Sequence, residues 1–304
     1  MNTPKQKIKV VFFGTSDRSI PILEDLKNSN FELVLCVTKN DVKVGRLGEY
    51  KSTGVKLWCE NNRVDLVLAD SLDAANTERI KNSIRDAEIE LGVVADFSFI
   101  IPEAIFKNIP YGIVNIHFSI LPHYRGSSPV QFAILNGDEN TGITFQLVEK
   151  GMDTGAIIFQ KEFPLFENET SDDVYKRLFV EAGKLVPEVL NNYIAGNLKP
   201  KPQNKELATY TYSKTNPKTT MILKDDAKIN WEMSSHAIYR MIRAFYPWPI
   251  AWTTLGDISK YVAAVKKDKN PSLKVKIYKA SPEGGDLKID KIQVEGKQIT
   301  DWVS

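Results

Sequence analysis

Asn115, His117 and Asp153 are a carboxamide, an imidazole and a carboxylate, the side chains needed to hold an oxyanion and manage a proton during acyl transfer. They stand in NIHFSILPHYRGSSP and EKGMDTG. Asn115 and His117 are two residues apart, so a strand over 112–117 that runs into a loop presents both on one face. Polar groups gathered on such a face need partners, and a substrate carbonyl is one. The alternative is that Asn115 caps a turn and His117 is a hydrogen-bonded core histidine. Metal ligation is another use for a histidine near an aspartate. The three histidines, His117, His123 and His236, show no H-x-x-x-H spacing, and no metal is expected.

Apolar runs at 8–14, 32–38, 64–69, 88–95 and 112–117 alternate with helical patterns at 19–28, 54–62 and 75–86. That order predicts an α/β fold, a doubly wound, mostly parallel Rossmann-like sheet. Pro21 falls in a helix's first turn, where its missing N–H does no harm. A helix over 128–136 follows the SILPHYRGS loop, and 143–148 with 156–163 form a closing strand pair. Helix 171–195 has Val174, Leu178, Phe179 and Ala182 as its packing face, with Ser171 and Asp172 as its N-terminal cap. GTSDRS after Gly14 lacks two glycines of G-x-G-x-x-G, which argues against a nicotinamide dehydrogenase.

The stretch 196–212 mixes Pro, Lys, Gly and Asn and is expected to link two domains. Beyond it come a helix at 234–244 and strand-like runs at 250–255, 261–265, 273–279 and 286–294. Their close spacing predicts a smaller C-terminal β-barrel of OB-like type. The expected division is a catalytic domain over 1–198, a linker over 199–212 and a barrel over 213–304.

With 42% hydrophobic and 26% charged residues the composition is that of a globular protein. Cys36 and Cys59 have no ligand-like spacing and are expected to be reduced, buried thiols. VVFF near the start is too short for a membrane span or a signal core, so a cytoplasmic protein with no membrane partner is expected. The net charge of +2 divides unevenly: residues 206–304 hold 16 Lys+Arg against 11 Asp+Glu, a net of +5. A basic second half suits contact with a polyanion, and equally a lysine-rich solvated surface.

NIH, then SILPxYRGxxPxQxAIxNG, TGIT and GMDTG occur in an order and spacing that resemble the folate-dependent formyltransferase family. The likeness starts at KVVFFGTSDRSIPIL. INWEMSSHAIYRMIRAFYPWPIAWT and VEGK resemble the branch of that family that acts on initiator methionyl-tRNA. The resemblance implies that Asn115, His117 and Asp153 are catalytic and that 10-formyltetrahydrofolate is the formyl donor. Asn115 and His117 would donate to the oxyanion, while Asp153 would orient the imidazole and draw a proton from the amine through a water. Phe97, Ser98 and Ile100 in the loop 93–102, with Ser119, Leu121 and Pro122, would bind the folate. Lys43, Arg46 and Lys51, within a basic stretch at 39–56 that also holds Lys39 and Lys56, would meet tRNA, with Glu49 and Tyr50 standing where the family usually has lysines. A monomer is expected. Asp96, Ser98 and Phe118 replace smaller residues of the family pattern, which leaves the pocket's shape open. Arg125 could meet substrate or a local partner, and WPIAW at 248–252 is expected to be core packing. The rival functions are a sugar-nucleotide N-formyltransferase, a formyltetrahydrofolate hydrolase and a catalytically silent RNA-binding protein.

Overall fold

The alternation of strands and helices is realised in a computed structural model that describes residues 7–44, 49–261 and 270–302. In chain order the elements are β1 (Lys9–Phe13), α1 (Ile20–Lys27), β2 (Glu32–Thr38), β3 (Val42–Val44), β4 (Glu49–Lys51), α2 (Gly54–Asn62), β5 (Asp65–Leu68), α3 (Ala74–Asp86), β6 (Leu91–Val94), α4 (Glu103–Phe106), β7 (Ile113–His117) and α5 (Pro129–Asn136). They continue as β8 (Asn140–Leu147), β9 (Ile157–Pro164), α6 (Ser171–Ile194), α7 (Ser235–Ala244), β10 (Trp252–Thr254), α8 (Leu255–Tyr261), β11 (Lys274–Glu283), β12 (Asp286–Val294) and β13 (Ile299–Asp301).

Seven strands form one sheet in the order β5-β2-β1-β6-β7-β8-β9. Those from β5 to β7 pair in parallel, as expected of a doubly wound Rossmann-like sheet. Val10, Val11, Phe12 and Phe13 of β1 are fully buried, because a central parallel strand is covered on both faces. The chain moves outward from β1 through β2 to β5, then returns to the other side of β1 for β6 and β7. The switch point therefore lies between β1 and β6, where open α/β sheets place ligands at the carboxyl ends of the strands. β8 runs antiparallel to β7 and sets Gln146 opposite Asn115 and Thr144 opposite His117.

Local sequence fixes the helix starts. Thr53 accepts from the Lys56 N–H ahead of α2, and Asp73 from the Asn76 N–H ahead of α3, each cap contributing about 1 kcal/mol. The cap of α6 falls one residue earlier than the sequence suggested. Thr170 Oγ1 accepts from the Asp173 N–H while Asp173 accepts from the Thr170 N–H, at 3.3 and 3.0 Å. That reciprocal box leaves Ser171 inside the helix, its hydroxyl donating to the Tyr246 carbonyl. Val174, Leu178, Phe179 and Ala182 are buried as expected, and so are Cys36 and Cys59, both free thiols.

Backbone contacts divide the chain into two compact units. One comprises Met1–His123, Gly142–Glu162 and Lys176–Ala208; the other comprises Tyr124–Thr141, Phe163–Tyr175 and Thr209–Ser304. The second unit has its own core, in which Ile238, Ile242 and Phe245 meet Val275, Ile277, Ile289 and Ile292. The short strands expected of a small barrel form an antiparallel sheet in the order β10-β11-β12-β13. The run at 261–265 is not a strand where it is described. Tyr261 ends α8, and 262–265 lie outside the described residues. Thr254 and Asp257 start that helix: the Asp257 N–H donates to Thr254 Oγ1, which donates in turn to the carboxylate. In the same unit Arg125 and Tyr210 are bridged in parallel, and from there hydroxyl residues Thr211 and Ser213 point inward while Tyr210 and Tyr212 stay exposed. No helix among the described residues is long and apolar enough to cross a membrane.

Candidate active site

All three proposed catalytic residues meet at the carboxyl end of β7, within the first unit. Asn115 Nδ2 donates to Asp153 Oδ1 at 3.2 Å. His117 Nδ1 lies 3.6 Å from the same oxygen, which is ion-pair range and longer than a hydrogen bond. His117 is 6% exposed, so its ring is a buried group aimed at a carboxylate. Only one of the two Asn115 amide hydrogens is engaged by Asp153, which leaves the other for a further acceptor.

Asp153 reaches this position because the connection from β8 to β9 turns sharply. Its φ is +52°, a left-handed value that aspartate tolerates better than most residues. Two residues on, a Cβ at Gly155 would stand 1.7 Å from the Leu147 carbonyl oxygen. Backbone and backbone are in contact there, so no side chain fits.

The loop after β7 is fixed by side chains facing inward. Thr144 Oγ1 donates to the Ser119 carbonyl at 2.6 Å and accepts from the Leu121 N–H at 3.2 Å. Gln160 Nε2 donates to the Leu121 carbonyl and to Thr144 Oγ1, both at 2.8 Å. Ser119 spends its hydroxyl on the His123 carbonyl, and Leu121 is buried. Phe118 is buried against Phe179 of α6 with ring centres 4.2 Å apart, so its bulk is taken up by the core.

The remaining candidate folate residues follow β6, the strand next to β7. Phe97 packs edge-on against Phe13 and Phe99. The Ser98 N–H donates to Thr15 Oγ1 at 3.2 Å, and Ile100 is 80% exposed. Asp96 has φ +50°, a value that accounts for a glycine-like position.

Lys43 and Lys51 lie on an antiparallel hairpin of β3 and β4 that the sequence did not announce. Both are exposed, with the Lys43 ammonium 5.4 Å from the Tyr50 ring centre. Arg46 lies outside the described residues. In the second unit Arg125 is buried and donates to the Tyr210 hydroxyl at 3.0 Å, which is the local partner weighed above. Trp252 is half-buried, its indole donating to the Lys224 carbonyl, whereas Trp248 is 53% exposed; core packing describes the first tryptophan and not the second.

Two glutamines at the site were missed. Gln146 Nε2 donates to Asp153 Oδ1 at 2.9 Å. Gln203, in the segment expected to be linker, donates to Gln146 Oε1 at 3.2 Å and to the Asp153 and Gly155 carbonyls at 2.9 and 2.8 Å. A signal for Gln146 existed: it shares a face with Thr144 on the expected strand 143–148, and pairing that strand with 112–117 sets the two opposite Asn115 and His117.

Comparison with known proteins shows the family to which the chain belongs. Residues 6–190 match the formyl transferase family model and residues 221–304 match the formyl transferase C-terminal domain. A methionyl-tRNA formyltransferase of Thermodesulfovibrio yellowstonii is 30% identical over 301 residues, covering 95% of this chain and 92% of the relative. Among solved structures, methionyl-tRNA formyltransferase from Clostridium thermocellum aligns with a TM-score of 0.59 at 19% identity, over 94% of this chain and 98% of that one. An N-formyltransferase from Helicobacter canadensis, solved with folinic acid and dTDP-3-aminofucose, aligns with a TM-score of 0.63 at 23% identity, over 90% of this chain and 87% of that one.

Proposed function

The chain belongs to the formyl transferase family, and from that premise we propose that it transfers the formyl group of 10-formyltetrahydrofolate to the amino group of methionine on initiator Met-tRNA. The convergence of Asn115, His117 and Asp153 at the end of β7 carries the reaction. For the acceptor, the support is the likeness to curated methionyl-tRNA formyltransferases over nearly the whole chain.

In this reading the amine nitrogen bonds to the formyl carbon, negative charge builds on the formyl oxygen, and the bond from carbon to the folate nitrogen breaks. The spare Asn115 N–H and the His117 imidazole are the donors for that oxygen. Asp153 holds the imidazole in place and takes the amine's proton through a water, and a proton passed on to the departing folate nitrogen completes the transfer. Phe97, Ser98 and Ile100 after β6, with Ser119, Leu121 and Pro122 after β7, form the folate subsite at the carboxyl ends of these two adjacent strands. The tRNA meets Lys43, Arg46, Lys51 and the basic domain 213–304, and the catalytic domain is 1–198.

The test offers the protein 10-formyltetrahydrofolate with charged initiator tRNA, with a dTDP-amino sugar, or with no acceptor. Formylmethionine in the first tube alone is expected. Formylated sugar would move the sugar-nucleotide reading to first place, since the Helicobacter canadensis enzyme shares this fold. Formate release without any acceptor would identify a hydrolase.

A further inference from the structure

We propose that Gln203 and Gln146 form a two-amide relay that orients the Asp153 carboxylate, which makes both of them positioning residues for formyl transfer. The proposal rests on the reading that Asp153 serves that reaction. Gln203 Nε2 lies 2.9 Å from the Asp153 carbonyl and 2.8 Å from the Gly155 carbonyl. Backbone carbonyls only accept, so the NH2 end of Gln203 must be the end that faces them. The same nitrogen is 3.2 Å from Gln146 Oε1, so one of its two N–H groups is shared between two of the three acceptors, and the Gln146 amide turns its oxygen rather than its NH2 end toward that donor. Its NH2 end then has one direction left, toward Asp153 Oδ1 at 2.9 Å. The orientation of each amide is forced by the one before it.

Both glutamines are buried, at 1% and 9% exposure, so water does not compete for these bonds and a missing partner is not replaced. The backbone carrying Gln203 is anchored two residues earlier, where Lys201 and Ile157 exchange hydrogen bonds at 2.8 Å. Gln146 stands directly across the ladder from Asn115, and the two donate to a single carboxylate oxygen from adjacent strands. Two donors on one oxygen restrict rotation of the carboxylate, and that rotation decides what His117 meets 3.6 Å away. Gln203 also grips the carbonyls on both sides of Thr154, holding the turn in which Asp153 keeps its positive φ.

A mutant cycle separates this role from simple packing. Gln146→Met keeps the length and removes the polar end. In the otherwise native protein it should lower kcat roughly ten- to a hundredfold with little change in KM for folate or tRNA, because misplacing a positioned group costs rate more than binding. In the Asp153→Asn background the same change should cost almost nothing further, since the carboxylate it positions is gone. Gln203→Met should behave alike and serves as the second arm if Gln146→Met fails to fold. An equal loss from either methionine variant in both backgrounds, or a rise in KM at unchanged kcat, would overturn the relay. Near-normal turnover of Asp153→Asn alone sinks the reading of Asp153 itself, and the relay with it.

Discussion

Asp153 in the first unit and Asp226 in the second are both aspartates gripped by several donors, yet the donors differ in kind and in origin. Asp226 Oδ1 accepts from the Ser213 hydroxyl at 2.9 Å and from the Thr215 amide and hydroxyl, both at 2.8 Å, while Oδ2 accepts from the Leu223 N–H at 2.7 Å. All four donors come from within 13 residues. Asp153 Oδ1 instead receives two carboxamides and faces an imidazole, Gln146 standing 7 residues away and Asn115 38. Backbone and hydroxyl donors drawn from the neighbourhood tie a loop to itself. Amides brought from two strands aim a carboxylate, which is the arrangement expected of the proposed catalytic role.

The contrast breaks if the two residues respond alike to substitution. Asn115→Ala should lower turnover by roughly 10²–10³-fold, and Asp153→Asn by at least as much, with melting temperature almost unchanged. Steady-state kinetics beside a thermal melt would show it; a variant that melts early and turns over normally would exchange the roles of the two sites.

Asp226→Ala should do the reverse, losing about 2–3 kcal/mol of stability because four donors are left without their acceptor, while the folded fraction keeps its turnover. Burial pushes the Asp226 carboxyl up, but the bonds from Leu223, Ser213 and Thr215 more than offset it, so it sits below the usual carboxylate range. A depressed folded value adds stability above the unfolded pKa of about 3.9 and loses it as pH falls through the folded value. Asp226→Asn should therefore flatten the acid limb of stability against pH, measured by urea unfolding below about pH 4. An unchanged acid limb would mean that the four bonds do not favour the charged form.

The smallest effect expected belongs to the exposed basic hairpin. Each phosphate neutralised contributes about 0.7–0.9 to the slope of log affinity against log salt. Lys43→Ala and Lys51→Ala should each make that slope shallower by about that amount for tRNA and leave folate binding alone. An unaltered slope would remove the hairpin from the tRNA surface and strengthen the sugar-nucleotide alternative.

Much of the first unit was legible because a buried parallel strand such as VVFF and a capped helix such as the one after Thr53 are specified by neighbouring residues. The i, i+2 placement of Asn115 and His117 followed from strand geometry alone. What escaped has both remote and local causes. Gln203 lies in a polar stretch that looks like linker, and nothing local says that its amide will enter the turn of Asp153. The pairing of β3 with β4 is not legible in the basic stretch 39–56 because only three residues pair on each side and charges interrupt the alternation. The cap of α6 shifted by one residue because Thr170 and Ser171 are chemically equivalent caps until Asp173 chooses between them. The run at 261–265 was placed by apolar pattern, whereas Thr254 and Asp257 had already committed the preceding residues to a helix.

The backbone contact between Gly155 and the Leu147 carbonyl gives the site a recognisable mutational fingerprint. In a saturation library scored by growth, positions 153 and 155 would look equally intolerant. Scored by protein abundance they would part: chains with asparagine at 153, which keeps the shape and tolerates the positive φ, would accumulate, while any side chain at 155 would meet the Leu147 carbonyl and be cleared.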